Sequence, residues 1–278
     1  MSVCVVYREL LEEGKHVLAQ AEIVDAECDA WLLLEHVSGM NRAQFFLHQQ
    51  DTVPDELEAD YRGMLRKRAE HIPLQHLTGT QEFMGLEFQV SPDVLIPRQD
   101  TELLVEKLLP HIQGKRVLDV CTGSGCIIIS ILHNVEGVKG YAVDISKQAV
   151  NVAKENAKLN EVPVLFERSD LFEMVTEKFD VIVSNPPYIP TNVIPQLMPE
   201  VQVFEPIEAL DGKEDGLYFY RKIVEQSKDY LNSGGSLMFE IGYDQGKDVS
   251  KMMTDAGFSN VCVKKDLAGN DRVVTGML

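Results

Sequence analysis

The segment from Lys115 to the carboxyl terminus alternates short apolar runs with stretches of helical period, and this alternation restricts the possible folds more than any other feature. Helical patterns such as Lys147–Leu159 and Gly216–Leu231 separate the first five runs. Strands that alternate with helices form a parallel, doubly wound α/β sheet. The last two runs are joined by a short connection, which favours an antiparallel pair. The predicted strands are Arg116–Val120, Gly140–Val143, Val164–Glu167, Phe179–Ser184, Ser236–Ile241, Asn260–Lys264 and Arg272–Met277.

Residues 1–73 have a different pattern, that of a small bundle of at least four helices. Gly39 is placed to end the second helix, and Asn41 with Gln44 has the spacing of a capping box at the start of the third. Pro54 lies at a first-turn position of a fourth helix. Two roles are open for this predicted domain, an inert cap and substrate recognition, and we expect the second.

Residues 74–96 contain turn signals between short strand-like pieces, which predicts a β-hairpin linker. Residues 97–278 form the third predicted region. This region opens with a helix predicted from Glu102 to about Leu109, for which Asp100 or Thr101 is the expected N-cap.

The chain has 278 residues and a formal net charge of −18. Because a duplex nucleic-acid binder usually carries a basic face that neutralises phosphates, this charge argues against a direct nucleic-acid substrate and favours a protein partner or plain solubility. No apolar run approaches the length of about 18 residues that marks a membrane span, and the first residues lack a signal-peptide pattern. The five cysteines are scattered and form no CxxC or Cys/His cluster. We therefore predict no metal site and a reduced, cytoplasmic protein.

The tetrapeptide Asn185-Pro186-Pro187-Tyr188 follows a predicted strand, so it lies where open α/β sheets bind their ligands. The Asn185 side-chain oxygen and the Pro186 carbonyl can each accept a hydrogen from a primary amide or amine. Held in this way, a nitrogen that is a poor nucleophile is oriented for attack. Proline cannot donate and stiffens the loop, and Tyr188 offers a flat face to a planar group. The simpler interpretation is a plain Pro-Pro turn after a strand.

A glycine-rich loop, Cys121-Thr122-Gly123-Ser124-Gly125, follows the predicted strand Arg116–Val120. Glycines allow the backbone to approach a ligand closely. Asp144 ends the next strand, where an acidic side chain can accept both hydroxyls of a ribose. The loop and the carboxylate on consecutive strands predict a cofactor that contains a nucleoside.

Two kinds of cofactor compete for this site. A nicotinamide cofactor requires G-x-G-x-x-G, with a helix N-terminus facing its pyrophosphate. Asp119, just before the loop, would repel a pyrophosphate but could hold the ammonium group of S-adenosylmethionine, which has a ribose and no phosphate. Asp170 could accept from the adenine amino group, with Leu171 or Phe172 against the ring. The alternative role for both aspartates is that of a cap.

Over nearly its whole length the sequence resembles the bacterial protein-(glutamine-N5) methyltransferases that modify peptide chain release factors, the HemK/PrmC family. The tetrapeptide is shared by many amino-methyltransferases, whereas the segments around Arg98 and after Glu205 are far more specific. The segments that carry the resemblance are Leu95–Glu102, Leu118–Gly125, Asp144, Ser184–Tyr188, Glu205-Pro206, Ala209–Gly212 and Asp215-Gly216.

The resemblance implies a seven-stranded, Rossmann-like class I methyltransferase domain over residues 97–278, preceded by the helical bundle and the hairpin linker. It implies transfer of a methyl group from S-adenosyl-L-methionine to the side-chain nitrogen N5 of the glutamine in the Gly-Gly-Gln motif of peptide chain release factors. By position, Cys121–Gly125, Asp144 and Leu171 match the family's cofactor contacts. Asn185–Tyr188 match its substrate contacts, and Asn185 is expected to contact the cofactor as well.

Three residues depart from the family pattern. Gln99 stands where proline is usual, Cys121 replaces the first glycine of the loop, and Leu171 stands where some members carry tryptophan against adenine. The last two bear on cofactor affinity and not on the chemistry. The rival functions are methylation of a ribosomal-protein glutamine, adenine-N6 methylation of a nucleic acid, which would need base flipping and a basic channel, and non-catalytic binding of the donor.

Overall fold

A computed structural model gives the fold of residues 5–278. The first four residues, which include Cys4 and begin the predicted first domain, lie outside the described residues. The helices are α1 (Tyr7–Gln20), α2 (Ala26–Ser38), α3 (Arg42–His48), α4 (Asp55–Ala69), α5 (Leu74–Thr78), α6 (Gln99–Leu108), α7 (Cys126–Asn134), α8 (Lys147–Leu159), α9 (Pro199–Phe204), α10 (Ile207–Leu210), α11 (Tyr218–Tyr230) and α12 (Gly246–Asp255). The strands are β1 (Thr80–Phe83), β2 (Leu86–Gln89), β3 (Arg116–Val120), β4 (Lys139–Asp144), β5 (Val164–Arg168), β6 (Phe179–Ser184), β7 (Leu231–Glu240), β8 (Ser259–Lys265) and β9 (Asp271–Met277). In this part of the chain no helix combines the length and apolarity needed to cross a membrane.

The chain forms two compact units, and the first contains the described residues up to Gly79 together with α9. Its central ion pairs are made by Arg68, a side chain that is only 9% exposed. Arg68 donates to Asp29 at 2.7 Å and to Glu200 of α9 at 3.0 Å. A buried guanidinium needs such partners because an unpaired buried charge is costly. These bonds hold a short helix from far along the chain inside the helical unit.

Local signals set several helix ends in this unit. Asn41 and Gln44 form the predicted capping box, with both hydrogen bonds at 3.0 Å. Gly39 ends α2 at φ 67°, a left-handed conformation that glycine adopts without steric cost. Pro54 is the N-cap of α4 and thus lies one position before its first turn.

The segment between the bundle and the sheet differs from the predicted hairpin over 74–96. Its first residues form the helix α5, which begins after Pro73 and ends at Gly79 with φ 80°. Proline at a helix start and a left-handed glycine at its end are typical boundaries. The antiparallel hairpin is confined to β1 and β2.

Helix α6 begins earlier than predicted. Arg98 is its N-cap and Gln99 its first residue, so Asp100 and Thr101, the predicted caps, lie inside its first turn. Thr101 is 2% exposed, and its hydroxyl accepts a hydrogen bond from Asn185. The hydroxyl of Thr101 therefore contacts the tetrapeptide loop, and the prediction that it caps the helix was wrong.

The second unit contains a seven-stranded sheet in the order β5-β4-β3-β6-β7-β9-β8. The first five of these strands are parallel to one another, and β9 is antiparallel to both β7 and β8. The predicted α/β class and the antiparallel last pair are confirmed. The chain order reverses between β3 and β6, and such a switch point is where doubly wound sheets bind ligands.

The central strands are buried on both faces, as parallel strands covered by helices must be. Leu118 and Ile182 contribute to one apolar cluster, whereas Val117 and Val181 contribute to another. Successive residues of a strand point to opposite faces, so the two clusters are the two cores on either side of the sheet. This burial fixes the register of β3 against β6 and thereby the position of the loops that follow them.

Candidate active site

Two predicted loops meet at the switch point of the sheet. Strand β3 pairs with β6 so that Val120 lies opposite Ser184, and each of these residues is the last of its strand. The glycine loop that begins at Cys121 and the tetrapeptide that begins at Asn185 therefore leave the sheet side by side. A cavity of about 400 Å³ lies at this edge, within the size range of small-molecule sites.

Most of the predicted site residues line this cavity. They are Cys121, Thr122, Gly123, Ser124, Asp144, Asp170, Leu171, Asn185 and Pro187. Asp119, Gly125, Pro186 and Tyr188 do not line it. Among residues 5–278 no group of three or more His, Cys, Asp or Glu side chains is arranged to hold a metal ion.

The glycine loop is held open by left-handed backbone. Cys121, Gly123 and Gly125 have φ values of 63°, 55° and 81°. A Cβ on Gly125 would lie 2.9 Å from Ile129 and 3.1 Å from Ala153, so this glycine allows close packing of the loop on the helices behind it. A Cβ on Gly123 would meet no protein atom within 4 Å and would point into open space. Gly123 thus leaves room for a ligand at the cavity wall.

Asp144 is tied to the glycine loop. One of its oxygens accepts from the Gly123 N–H and the other from the Ser146 N–H, both at 2.9 Å. Burial raises the pKa of Asp144, and these two backbone bonds act against that rise. A carboxylate has about four acceptor positions, so Asp144 keeps capacity for two further donors such as ribose hydroxyls.

Asp119 lies beneath the loop and is fully buried. Its Oδ2 accepts from the Thr122 hydroxyl at 2.6 Å, whereas its Oδ1 has no hydrogen-bond partner among the described residues. Burial raises the pKa of Asp119 to about 7, with a further contribution from the charge of Asp144. Asp119 therefore braces the loop through Thr122 and retains one free acceptor.

Asp170 and Leu171 occupy the wall that the sequence predicted for adenine. Leu171 is 8% exposed with φ 47°, and it lines the cavity, whereas Phe172 stacks on Tyr230 at 4.8 Å within the core. Of the two predicted ring contacts, only Leu171 is available to a ligand. The turn that follows is capped by Ser169, whose hydroxyl accepts from the Met174 N–H at 3.0 Å. Ser169 therefore has the capping role that was the alternative for Asp170.

The tetrapeptide loop is braced from behind. The Tyr188 carbonyl accepts from Gln245 Nε2 at 2.9 Å. A Cβ on Gly212 would lie 2.8 Å from the Tyr188 backbone, and one on Gly216 would lie 2.3 Å from the Tyr188 carbonyl oxygen. These glycines let the segment after α10 pack directly on the loop. Burial raises the pKa of Tyr188 to about 12, so its phenol stays protonated at neutral pH.

Arg98 and Glu205 form a second support that residue chemistry alone did not reveal. Arg98 lines the cavity, and its Nη2 donates to both carboxylate oxygens of Glu205 at 2.8 and 2.7 Å. The Glu205 side chain is only 1% exposed. The two residues are far apart in the sequence and belong to no local pattern, so only the family resemblance pointed to them. Lys213 and Glu208 also line the cavity and were not predicted.

Two families match separate parts of the chain. The family described as PrmC N-terminal domain matches residues 9–79. The family described as methyltransferase small domain matches residues 98–197. These two matches correspond to the helical region and to much of the sheet region.

Curated relatives match the chain over nearly its full length. A release factor glutamine methyltransferase from Clostridium botulinum is 42% identical over 277 residues, which cover 97% of this chain and 98% of the relative. A protein of the same name from Geobacter sulfurreducens is 40% identical over 275 residues, with 98% and 96% coverage. Among solved structures, a methyltransferase from Pyrococcus furiosus has a TM-score of 0.53 at 20% identity and covers 69% of this chain and 89% of its own. That last likeness shows the fold.

The raised pKa of Asp119 predicts that the effect of this residue on stability depends on pH. Its pKa of about 7 in the folded chain lies above the ordinary value of 3.8, so folding favours the protonated carboxyl. The contribution of Asp119 to the free energy of unfolding is fully present below the ordinary pKa and is lost as the pH rises through about 7. The asparagine of Asp119→Asn is uncharged at every pH. The free energy of unfolding of this variant, relative to that of the wild type, should therefore be higher at about pH 8 than at about pH 5, by about 2 kcal/mol. Denaturant unfolding of both proteins at both pH values measures this difference.

Asp180→Asn is the matched control, because backbone donation from Arg116 holds the pKa of Asp180 below its ordinary value. Asp180→Asn should destabilise the chain at neutral pH, because the ionised form of Asp180 stabilises the fold, whereas the ionised form of Asp119 destabilises it. An Asp119→Asn effect that is the same at both pH values would show that Asp119 is ionised in the folded chain throughout.

Proposed function

Because this chain belongs to the release factor glutamine methyltransferase family, we propose that it transfers a methyl group from S-adenosylmethionine to the side-chain amide nitrogen of the glutamine in the Gly-Gly-Gln motif of peptide chain release factors. The observation that carries the proposal is the meeting of the glycine loop and the Asn185–Tyr188 loop around one cavity. One loop is suited to a nucleoside cofactor and the other to a planar amide.

The residues around the glycine loop fit S-adenosylmethionine. Asp144 keeps acceptor capacity for ribose hydroxyls, and Gly123 leaves space at the cavity wall. Asp119 offers a partnerless oxygen beneath the loop and, with Asp144, makes this side of the cavity unfavourable for a pyrophosphate. The bound donor would supply an electrophilic methyl group on a sulfonium sulfur. Asp170 and Leu171 would contact the adenine.

Asn185 and the Pro186 carbonyl would hold the substrate amide. An amide nitrogen is weakly nucleophilic because its lone pair is delocalised, and two acceptors that fix both of its N–H bonds orient that lone pair. Pro187 lines the cavity, whereas Tyr188 does not line it and packs against the apolar core. Tyr188 stays protonated, since burial raises its pKa to about 12. The methylated nitrogen is cationic and loses its proton readily, so positioning rather than a strong base would determine the rate.

Charge favours a protein substrate over a nucleic acid. The chain has a net charge of −18. Of the two basic residues that line the cavity, Arg98 and Lys213, the first is paired with the buried Glu205 and the second with Asp211. Adenine-N6 methylation would need unpaired basic groups along a nucleic-acid path. Within the family, release factors are the named substrate, which favours them over ribosomal proteins.

The reaction would take place in the cytoplasm, where release factors act. The four cysteines in the described part of the chain, Cys28, Cys121, Cys126 and Cys262, are all free thiols. Free thiols fit a reducing compartment.

Asn185→Ala should lower kcat by about 10² or more, because the substrate amide loses one positioned acceptor. The affinity for S-adenosylmethionine should change little. The measurements are methyl transfer to a purified release factor at saturating donor and calorimetry of donor binding. Asn192→Ala is the control, since Asn192 is exposed and does not line the cavity. Full activity of Asn185→Ala would refute the proposed role of the tetrapeptide.

Gly123→Ala should weaken donor binding by about tenfold or more, about 1.4 kcal/mol, because the new methyl group would occupy the cavity. Gly114→Ala is a matched control: Gly114 has φ 71°, and a Cβ there would also meet nothing within 4 Å. Gly114 does not line the cavity, so its substitution imposes similar backbone strain without blocking a ligand. Calorimetry of S-adenosylmethionine binding separates the two, and equal affinities would place the donor elsewhere.

The helical unit would recognise the release factor. Phe46 and Leu47 are adjacent on α3 and are 65% and 81% exposed, and exposed apolar side chains of this size are typical anchors of protein interfaces. Phe46→Ser with Leu47→Ser should raise KM for the intact release factor by about tenfold or more. A short Gly-Gly-Gln peptide should be methylated at the wild-type rate. Leu267→Ser, in an exposed turn of the other unit, is the control; unchanged KM in the α3 variant would favour the inert cap.

A further inference from the structure

Glu240 is a buried carboxylate directly beside Asn185. It is the last residue of β7, and its exposed fraction is 2%. Strand β7 runs parallel to β6 with Ser184 opposite Phe239, so the residues that follow this pair along the chain, Asn185 and Glu240, are neighbours. The chain therefore places a carboxylate at the back of the proposed amide-binding residue, on the side away from the sheet neighbour β3.

The Glu240 carboxyl is incompletely satisfied. Its Oε2 has no hydrogen-bond partner among the described residues. Burial raises the pKa of Glu240 to about 7, and the Thr101 hydroxyl and the Asn185 amide act against that rise. A buried carboxylate with a free oxygen costs several kcal/mol unless donors face it. The side chains of Thr101 and Asn185 are hydrogen-bond donors that favour its ionised form.

The Thr101 hydroxyl accepts a hydrogen bond from Asn185 and still has its own hydrogen to donate. Asn185 Nδ2 donates to Thr101 Oγ1 at 3.4 Å, and Thr101 is 2% exposed. A hydroxyl oxygen that accepts from an amide must direct its own hydrogen to another acceptor. Glu240 is suited to be that acceptor, since the Thr101 hydroxyl favours the ionised form of its carboxyl. Donation from Asn185 to Thr101, and from Thr101 to Glu240, would then join the three side chains.

We propose that Glu240 is a positioning residue that sets the orientation of the Asn185 amide. By accepting from Thr101 and Asn185, the carboxylate holds Nδ2 toward the protein interior and Oδ1 toward the cavity. The reversed amide would direct Nδ2 at the substrate N–H groups, which are donors themselves, and it would set Oδ1 against the Glu240 oxygens. This inference rests on the proposed function, because it concerns how Asn185 receives the substrate amide.

The charges around Glu240 act on the ionisation of its carboxyl in opposite directions. Arg272 favours its ionised form and Asp100 opposes it. Arg272 is itself paired with Asp100 and Asp266, both at 3.1 Å. The other titratable groups that are affected by the charge of Glu240 are Cys126, Tyr188 and Tyr220.

Protonation of Glu240 turns an acceptor into a possible donor and removes the preference for one amide orientation. Wild-type kcat should therefore fall as the pH drops below about 7. Glu240→Gln carries a permanent donor at the same place. It should lower kcat by about tenfold or more, should lose this acid limb, and should leave KM for the release factor and the affinity for S-adenosylmethionine nearly unchanged.

The decisive measurement is a double-mutant cycle with Asn185→Ala under single-turnover conditions. If Glu240 acts through Asn185, Glu240→Gln should cause no further loss of rate in the Asn185→Ala background. Thr101→Val keeps the carboxylate and removes the linking hydroxyl, so it should show the same loss of kcat and the same non-additivity. It provides a second test if Glu240→Gln does not fold. Asp180→Asn, which removes a carboxylate at the opposite end of β6, should change stability without changing the pH profile of kcat.

A wild-type rate and an intact acid limb in Glu240→Gln would overturn the inference. An equal loss of rate with and without Asn185 would overturn it as well, since the carboxylate would then act independently of the amide. If Asn185→Ala itself is fully active, the proposed function fails. If Asn185→Ala is slow and Glu240→Gln is not, only the role of Glu240 fails.

Discussion

The pairing of β3 with β6 is the constraint on which the site depends. Parallel strands whose side chains are buried on both faces have little freedom of register, because a shift of one residue would move every apolar side chain to the other core. The pair ends with Val120 opposite Ser184. The cofactor-type loop and the amide-type loop therefore begin at adjacent points, although they are far apart in the sequence. Both loops line the cavity.

Around this pair, the protein limits loop movement by close backbone packing and buried polar bonds. Gly212 and Gly216 let one segment lie against the Tyr188 backbone, and Gln245 bonds the Tyr188 carbonyl. Arg98, which lines the cavity, is fixed by Glu205. Catalysis by orientation needs such rigidity, because a small displacement of the acceptor groups removes most of their effect. The supports are as much a part of the site as the groups that face the cavity.

The sheet was predictable because its signals are local. Strand β6 has the predicted bounds Phe179–Ser184, since a run of β-branched and aromatic residues without helical period allows little else. Strand β7 begins earlier than the predicted Ser236, at Leu231, and includes Gly234 and Gly235. The pairing with β6 is irregular between Leu231 and Ser236, and Gly234 has φ 75°, a conformation that glycine adopts without steric cost.

The site was predictable in part, for a physical reason. Residues at strand ends, such as Asp144 and Asn185, were located from the order of elements alone. Whether a side chain near a strand end faces the cavity depends on tertiary packing; Asp119 lies beneath the loop with one partnerless oxygen, and its contact with a ligand stays a prediction. The contacts of Glu240 and Arg98 join distant segments, and no local pattern encodes such pairs.

The central claim is that this arrangement methylates the glutamine of a release factor. The most direct measurement is intact-mass analysis, with peptide mapping, of a purified release factor after incubation with the protein and S-adenosylmethionine. The account predicts a mass gain of one methylene group that maps to the glutamine of the Gly-Gly-Gln motif and requires the donor. No mass gain, or a methyl group on any other residue, would contradict it.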